Sequence, residues 1–214
     1  ADLATGGRTA AAPDRLVGEI LRVVFASDDG EYAVIRLLDK GGRESTLVGP
    51  LGGLAPGQDI EAWGKWEKHA DHGRQFRAQG FQAVLPSSAE GIKRYLGSGV
   101  IPGIGPKLAE RIVEQFGERT LDILDHYSAR LNEIEGVGKK RIQQIRDSWR
   151  TTSERRSIFI FLQGLGIGAG LATRLYKKYE AQAGEIVRRN PYRLADEIKG
   201  VGFTTADKIA TQLG

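Results

Sequence analysis

The sequence contains no cysteine among its 214 residues. This absence excludes disulfides and every zinc site built on thiolates, and it fits a protein of the reducing cytoplasm. No apolar run approaches the roughly 18 residues of a membrane-spanning helix, so no membrane partner is expected. The Ala/Gly/Thr-rich start also lacks the apolar segment of a secretory signal, and residues 1–13 are expected to be a flexible leader.

Positive charge is scarce in the first part of the chain. Residues 1–85 contain 10 Lys and Arg against 12 Asp and Glu, whereas residues 86–214 contain 21 against 15. The formal net charge of +4 therefore comes from the second part, where a polyanionic partner would be sought first. A solvated helical surface can carry the same charge, so charge alone leaves both interpretations open.

The first part has the pattern of short strands and turns. Segments rich in β-branched residues alternate with turns such as Asp29-Gly30 and Pro56-Gly57. Five strands in about 70 residues, with no long helical period, predict a small closed barrel of the OB type, a fold that often binds single strands or oligosaccharides. The five predicted strands cover residues 16–25, 32–38, 45–48, 59–66 and 74–85.

The periodicity changes after Pro86. Ser87 or Ser88 can cap a helix that carries Ile92, Tyr95 and Leu96 on one face, and helices of 8–14 residues broken by glycine turns are expected from there to the end. The predicted fold class is therefore α+β with two domains: an OB-like barrel over residues 14–86, then an all-α array.

The helical part repeats one motif four times. Each copy has glycine, an aliphatic residue and glycine, then three residues, then Ala or Ile, and each opens an amphipathic helix. The first and third copies are offset by 63 residues and the second and fourth by 64, which indicates a duplicated module of two hairpins. We expect one pair over residues 87–150 and a second over 151–214, with the chain continuing beyond Gly214. The glycine triplets are 103–105 (GIG), 136–138 (GVG), 166–168 (GIG) and 200–202 (GVG).

This motif suits phosphate binding. Glycine at both ends of the turn permits positive φ and close approach of another backbone, and the turn leads directly into a helix whose first amides lack partners. Such amides bind anions without reading base edges, so binding to DNA would be independent of sequence and sensitive to salt.

The side chains after each turn rank the four hairpins. We rank the second hairpin highest as a phosphate site because three consecutive basic residues follow its turn. The first and fourth hairpins rank next, and the third, which has only Arg174, is expected to be structural. The candidate backbone-binding residues are Gly103, Gly105, Lys107, Arg111, Gly136, Gly138, Lys139, Lys140, Arg141, Gly200, Gly202, Thr204, Thr205 and Lys208.

Other chemistry is poorly supported. Trp63 and Trp66 are candidates for base stacking, although aromatics in so small a barrel often fill its interior, and the strand period points the two to opposite faces. His69, Asp71 and His72 share one loop without a fourth ligand, so no metal is predicted. Glu133 and Glu135 have no accompanying nucleophile or metal constellation, so neither a nuclease nor any other catalytic site is predicted.

With these residues in view, the chain resembles the N-terminal region of the long-form bacterial RecD-like ATP-dependent DNA helicases. The resemblance covers nearly everything after residue 14, and barrel followed by paired hairpins is more specific than the hairpin motif alone. The segments that carry it are 53–58 (GLAPGQ), 63–66 (WGKW), 72–76 (HGRQF), 91–96 (GIKRYL), 103–105 (GIG), 152–156 (TSERR) and 190–192 (NPY).

The resemblance implies a motor that unwinds duplex DNA in the 5′→3′ direction with ATP and Mg²⁺, in repair or recombination. That motor is missing here, because no Gly-x-x-x-x-Gly-Lys-Ser/Thr occurs, and Gly138-Lys139-Lys140 lacks the upstream glycine and the hydroxyl residue. We therefore expect no enzymatic activity and no cofactor in this polypeptide. Its implied partners are DNA, as single strand, duplex or fork, and C-terminal motor domains of the same polypeptide.

Two functional classes remain open. In the first, the segment is an accessory module that grips the DNA backbone near the motor. In the second, it is an interaction or regulatory platform whose barrel docks a repair or single-strand-binding protein, and the hairpins are mainly structural.

Overall fold

The computed structural model describes residues 12–214, and residues 1–11 of the expected leader lie outside the described residues. A closed five-stranded barrel comes first and a helical region follows it, so the predicted two-domain α+β fold class is confirmed.

The barrel closes because both edges of its sheet find partners. Strands run in the order β1-β2-β3-β5-β4, and β4 pairs again with β1, so the sheet closes on itself. All pairs are antiparallel except the short parallel contact between β3 and β5. The strands are β1 (Asp14–Ala26), β2 (Ala33–Leu38), β3 (Glu44–Gly49), β4 (Asp59–His69) and β5 (Gly73–Val84).

Alternating side chains fill the barrel. Ile20, Ile35, Leu47 and Phe76 are completely buried in its interior, as expected for a small barrel whose lumen is packed. The loop predicted from residue 67 onward is shorter than expected, because β4 extends to His69 and β5 begins at Gly73.

The helical region contains eight α-helices. Ser88 caps the first by accepting a hydrogen bond from the amide of Gly91 at 3.0 Å, which confirms one of the two caps considered from the sequence. Short 3₁₀ turns at Gly117–Arg119, Ser128–Glu133 and Glu180–Gln182 complete the connections. The helices are α1 (Ala89–Gly97), α2 (Pro106–Phe116), α3 (Thr120–His126), α4 (Lys139–Gly164), α5 (Ala169–Tyr179), α6 (Ala183–Arg189), α7 (Arg193–Glu197) and α8 (Phe203–Leu213).

Helix α4 is 26 residues long, and α3, α6 and α7 have 7, 7 and 5 residues, so the expected helix length of 8–14 residues is wrong for these four. Its start packs into a first apolar cluster through Ile142, Ile145 and Trp149, and its end packs into a second through Phe159 and Leu162. One continuous helix therefore belongs to both hairpin pairs, and residues 150 and 151, the expected limit between the pairs, lie inside it.

The barrel is docked on the helices at several points. Gly57 has φ +87°, and a β-carbon there would clash with the carbonyl of Gly91 in α1, so only glycine allows this close approach. Arg94 of α1 forms an ion pair with Glu19 of β1. Burial raises the pKa of Glu19 in spite of this partner.

No helix within residues 12–214 is both long and apolar enough to cross a lipid bilayer.

Candidate functional site

The four glycine turns share one geometry. The first glycine of each turn has positive φ, between +76° and +96°, which side chains rarely adopt. The aliphatic residue that follows points inward and is at least 93 % buried in every copy, which fixes the turn to its helices as the sequence predicts. The four first glycines are Gly103, Gly136, Gly166 and Gly200. The four aliphatic residues are Ile104, Val137, Ile167 and Val201, with 3 %, 7 %, 3 % and 6 % exposure.

The second glycine of each turn differs from expectation. It has an extended conformation with φ between −68° and −95°, so the prediction that both glycines use positive φ is wrong for this position. A β-carbon would meet nothing within 4 Å at any of the four. The residues are Gly105, Gly138, Gly168 and Gly202, and they are the N-caps of α2, α4, α5 and α8.

These four helices begin with amides that no side chain within residues 12–214 caps, except that Pro106, the first residue of α2, has no N–H. The first backbone N–H groups of a helix have no intrahelical acceptor, and the helix dipole adds positive potential at the same end. With no β-carbon on the N-cap residue, an anion can approach these amides closely.

The side chains that follow the turns are exposed in three of the four hairpins. Lys139, Lys140 and Arg141 all face solvent at the start of α4, and Lys107 does so in α2. The same holds for Thr204, Thr205 and Lys208 in α8. The structure thus brings Lys107, Lys139, Lys140, Arg141, Thr204 and Thr205 to the same helix ends as the free amides, whereas Lys208 lies about one turn further along α8.

The sequence predicts that Arg111 binds DNA phosphates, but its exposed side chain is already bound to the backbone of another hairpin. Its guanidinium donates to the backbone carbonyl of Glu135, the residue immediately before Gly136. Arg111 therefore ties α2 to the turn of the second hairpin. This contact between two hairpins was not foreseen from the sequence.

The duplication extends to an arginine that, in each hairpin pair, lies over an aromatic ring and binds a glutamate. In the first pair, Arg130 lies over the ring of Phe116 and binds Glu133. In the second pair, Arg193 lies over the ring of Tyr179 and binds Glu197.

In the second pair the aromatic residue also binds the glutamate, because Tyr179 has a hydroxyl where Phe116 has none. That hydroxyl donates to Glu197 at 2.7 Å. The hydrogen bond from Arg193, with that from Tyr179, lowers the pKa of Glu197 to about 2. Burial, with the hydrogen bond to this carboxylate, raises the pKa of Tyr179 to about 12.

In the third hairpin, the barrel covers the first turn of α5, although Gly166 and Gly168 before it are exposed. The loop between β1 and β2 lies on the start of α5, and a β-carbon on Gly170 would overlap the carboxylate of Glu31. Ala169 and Gly170 are buried, whereas Lys139 and Lys140 at the matching positions of α4 are exposed. A carboxylate of the chain itself thus lies where an external anion would approach. The sequence ranked this hairpin last because it lacks basic residues, but it did not indicate this cover.

The two tryptophans lie in different environments. Trp66 packs edge-on against Phe76, with ring centroids 5.2 Å apart, and the guanidinium of Arg74 covers its ring at 4.2 Å. Trp63 lies on the α-carbon of Gly80 and is 39 % exposed. Of the two candidates, only Trp63 has substantial surface for a base.

The histidine loop does not gather a metal site. His69 and His72 stack with ring centroids 4.7 Å apart. Among residues 12–214, no group of three or more His, Cys, Asp or Glu side chains is arranged to hold a metal.

One exposed residue was overlooked in the sequence. Phe203, the first residue of α8, is 68 % exposed at the end that carries the free amides. The signal was present in the motif, because an aromatic residue occupies the position that Lys139 has in the second copy.

Comparison with known proteins finds matches along most of the chain. Residues 13–86 match the family model described as "ATP-dependent DNA helicase YrrC, OB-fold domain". Residues 96–151 match a "SAM-like Helix-hairpin-helix tandem", and residues 151–214 match an "ATP-dependent RecD2 DNA helicase HHH domain".

A curated protein is similar to nearly the whole of this chain, which matches only part of that protein. The ATP-dependent RecD2 DNA helicase of Deinococcus radiodurans is 29 % identical over 205 residues, which is 93 % of this chain. The match covers 28 % of that relative, so this chain spans less than a third of its length. The resemblance inferred from the sequence is confirmed.

Proposed function

We propose that this chain, which is similar to the OB-fold and helix-hairpin-helix domains of the RecD2-like DNA helicases, grips the DNA sugar-phosphate backbone without sequence specificity. It does so as the non-catalytic accessory region of an ATP-dependent 5′→3′ helicase that acts in repair or recombination. The phosphates are bound at the first, second and fourth hairpins.

The open N-cap glycines carry this proposal. Gly105, Gly138 and Gly202 have a backbone conformation that any residue adopts and no neighbour that would hinder a side chain. Neither the φ angle nor packing therefore requires glycine at these positions. Glycine is useful there because a phosphate oxygen can reach the free amides of the following helix.

Unpaired positive charge supports the same assignment. Within residues 12–214, Lys107, Lys139 and Lys140 form no ion pair with a carboxylate of the chain. Cations without a partner are free to neutralise phosphates and to release the counterions that condense on DNA.

Catalysis belongs to other domains. ATP and Mg²⁺ are bound by motor domains that this sequence does not contain, since it has no phosphate-binding loop of the Walker type. We expect no ATP turnover from the purified chain, with or without DNA. Turnover that persists through further purification, and that follows the protein rather than a contaminant, would contradict this assignment.

A salt titration tests DNA binding. Fluorescence anisotropy is measured with labelled single-stranded, duplex and forked DNA of two unrelated sequences. We expect binding in dilute salt, similar affinity for both sequences, and a linear fall of log affinity with log salt concentration. No binding in dilute salt, or affinity that does not depend on salt, would reject the proposal.

A second candidate function is favoured by one observation on the barrel. Phe25 and Tyr32 form an exposed aromatic pair with ring centroids 6.3 Å apart, beside Val24, which is 55 % exposed. Such a patch suits docking of a protein partner, such as a single-strand-binding protein. If this is the main function, Phe25→Ser weakens binding to that purified partner while DNA affinity stays unchanged.

A further inference from the structure

An arginine supports the turn of the second hairpin in each pair. Arg111 of α2 donates to the carbonyl of Glu135, and Arg174 of α5 donates to the carbonyl of Lys199 at 2.8 Å. Each acceptor is the residue before a positive-φ glycine, so the bond fixes the carbonyl where the turn begins. The same bond at equivalent positions of the two pairs shows that it belongs to the duplicated unit.

The two arginines differ in a second contact. The guanidinium of Arg174 lies 3.5 Å from the carboxylate of Glu31, in the β1–β2 loop of the barrel. Arg111 forms no ion pair with any residue between 12 and 214. Arg174, which binds the turn of the fourth hairpin, therefore also contacts the barrel, whereas Arg111, which binds the turn of the second hairpin, forms no ion pair with it.

The β1–β2 loop is itself well fixed. Asp29 accepts hydrogen bonds from the hydroxyl of Ser27 at 2.7 Å and from the amide of Glu31 at 3.0 Å. The loop is held on α5 by Lys177, whose ammonium group donates to the carbonyl of Asp28 at 2.6 Å. Glu31 is thus presented to Arg174 from a loop with little freedom.

We infer that Arg174 is a positioning residue through which the barrel orders the turn of the fourth hairpin, whereas the turn of the second hairpin is ordered within its own pair. A guanidinium presents several N–H groups in a fixed plane, so one can bind Lys199 while another faces Glu31. Without Glu31, the guanidinium of Arg174 is less restricted, so binding the carbonyl of Lys199 costs more conformational entropy. The hydrogen bond from Arg174 to this carbonyl is therefore weaker.

Amide hydrogen exchange on the whole chain without DNA tests the inference. The reporters are the amides of Val201 and Val137, which donate to the turn carbonyls of Ile198 and Ile134. Glu31→Gln is expected to speed exchange at Val201 about two- to fivefold, in keeping with an exposed ion pair, and to leave Val137 unchanged.

Two further variants and one control complete the design. Arg174→Gln is expected to speed exchange at Val201 about fivefold, and Arg111→Gln to do the same at Val137 alone. Glu61→Gln removes a barrel carboxylate whose ion-pair partner is Arg15 of β1 rather than a hairpin residue, and it should change neither amide. Thermal unfolding identifies any variant that is globally destabilised. Unchanged exchange at Val201 in Glu31→Gln, or in Arg174→Gln, would overturn the inference.

The consequence for DNA rests on the proposed function. Removing the negative charge of Glu31 would by itself strengthen DNA binding, so weaker binding by Glu31→Gln supports positioning, and stronger binding opposes it. The slope of log affinity against log salt should stay unchanged in Arg174→Gln, because no phosphate contact is lost, whereas a direct contact would lower it by about 0.9. If the wild-type chain binds no DNA, the proposed function fails, but the exchange result still decides the role of Arg174.

Discussion

The carboxylate of Glu31 lies directly against the α-carbon of Gly170, where a β-carbon would overlap it. One residue belongs to the barrel and the other to the first turn of α5, so a carboxylate of the chain itself lies at the start of this helix. We therefore expect the third hairpin to bind anions less well than the other three.

Gly170→Ala is predicted to displace Glu31 at little cost. The overlapped atoms are the end of a flexible side chain, and alanine suits a helix better than glycine, so the free energy of unfolding should change by less than about 1 kcal/mol. Exchange at the Val201 amide should rise as in Glu31→Gln. A large loss of stability, or no change at Val201, would show that Glu31 is held by contacts other than the one to α5.

Two neighbouring glycines separate folding from binding. Neither Gly136 nor Gly138 has an atom within 4 Å of an added β-carbon, but only Gly136 has positive φ, at +79°. Gly136→Ala should lower the free energy of unfolding by about 1–2 kcal/mol. Gly138→Ala should leave stability unchanged or raise it slightly, yet weaken DNA binding about tenfold or more, because the β-carbon obstructs the phosphate.

Gly168→Ala is the matched control for this pair. Gly168 has the same extended conformation and the same open space, but it caps the helix whose start Glu31 covers. Its DNA affinity, measured by anisotropy, should equal that of the wild type. Equal loss of affinity in Gly138→Ala and Gly168→Ala would mean that the third hairpin also binds DNA.

The paired change of Lys139 and Lys140 to alanine should alter the salt dependence of binding. If each ammonium group neutralises one phosphate, the slope of log affinity against log salt falls by about 1.8 in magnitude. Arg111→Gln serves for comparison, since its guanidinium is bound to a carbonyl and its loss should reduce affinity without changing the slope. Equal slopes in the wild type and the double variant would place the phosphates elsewhere.

The pair of Tyr179 and Glu197 should make the second hairpin pair sensitive to pH at both extremes. The pKa of Tyr179 is raised from 10.0 to about 12, so its contribution to stability is present below pH 10 and is lost as pH rises toward 12. The pKa of Glu197 is lowered from 4.5 to about 2, so its contribution is present above pH 4.5 and is lost as pH falls toward 2.

Thermal unfolding as a function of pH measures both effects. Tyr179→Phe should reduce the alkaline loss, because phenylalanine, which the first pair has at Phe116, does not titrate. Glu197→Gln should reduce the acid loss in the same way. If Tyr179→Phe follows the wild-type alkaline profile, the hydroxyl of Tyr179 is not bound as described.

Local features of the sequence predicted much of the fold. The five strands were found because side chains alternate in and out of a barrel with period two, and turns such as Asp29-Gly30 separate them. All four hairpin helices begin where expected, after Gly105, Gly138, Gly168 and Gly202, because a helix start is set by a few adjacent residues. The resemblance to RecD-like helicases was found from segments of the same kind.

Other features were beyond local pattern. The length of α4 was missed because residues 150–157 are polar and show no apolar period; this stretch continues as helix because its two ends are buried in different clusters. The place of Arg111 was missed because an exposed arginine at a helix surface gives no sign that it will bind a carbonyl in the next hairpin.

Residues adjacent in the chain are enough to specify four helix starts with uncapped amides and to show which of them carry basic side chains. Which of these helix starts are accessible depends instead on the tertiary structure. Glu31 and Gly170 are distant in the chain and meet through the docking of the barrel on α5, a contact that depends on how two domains pack and that no single segment encodes.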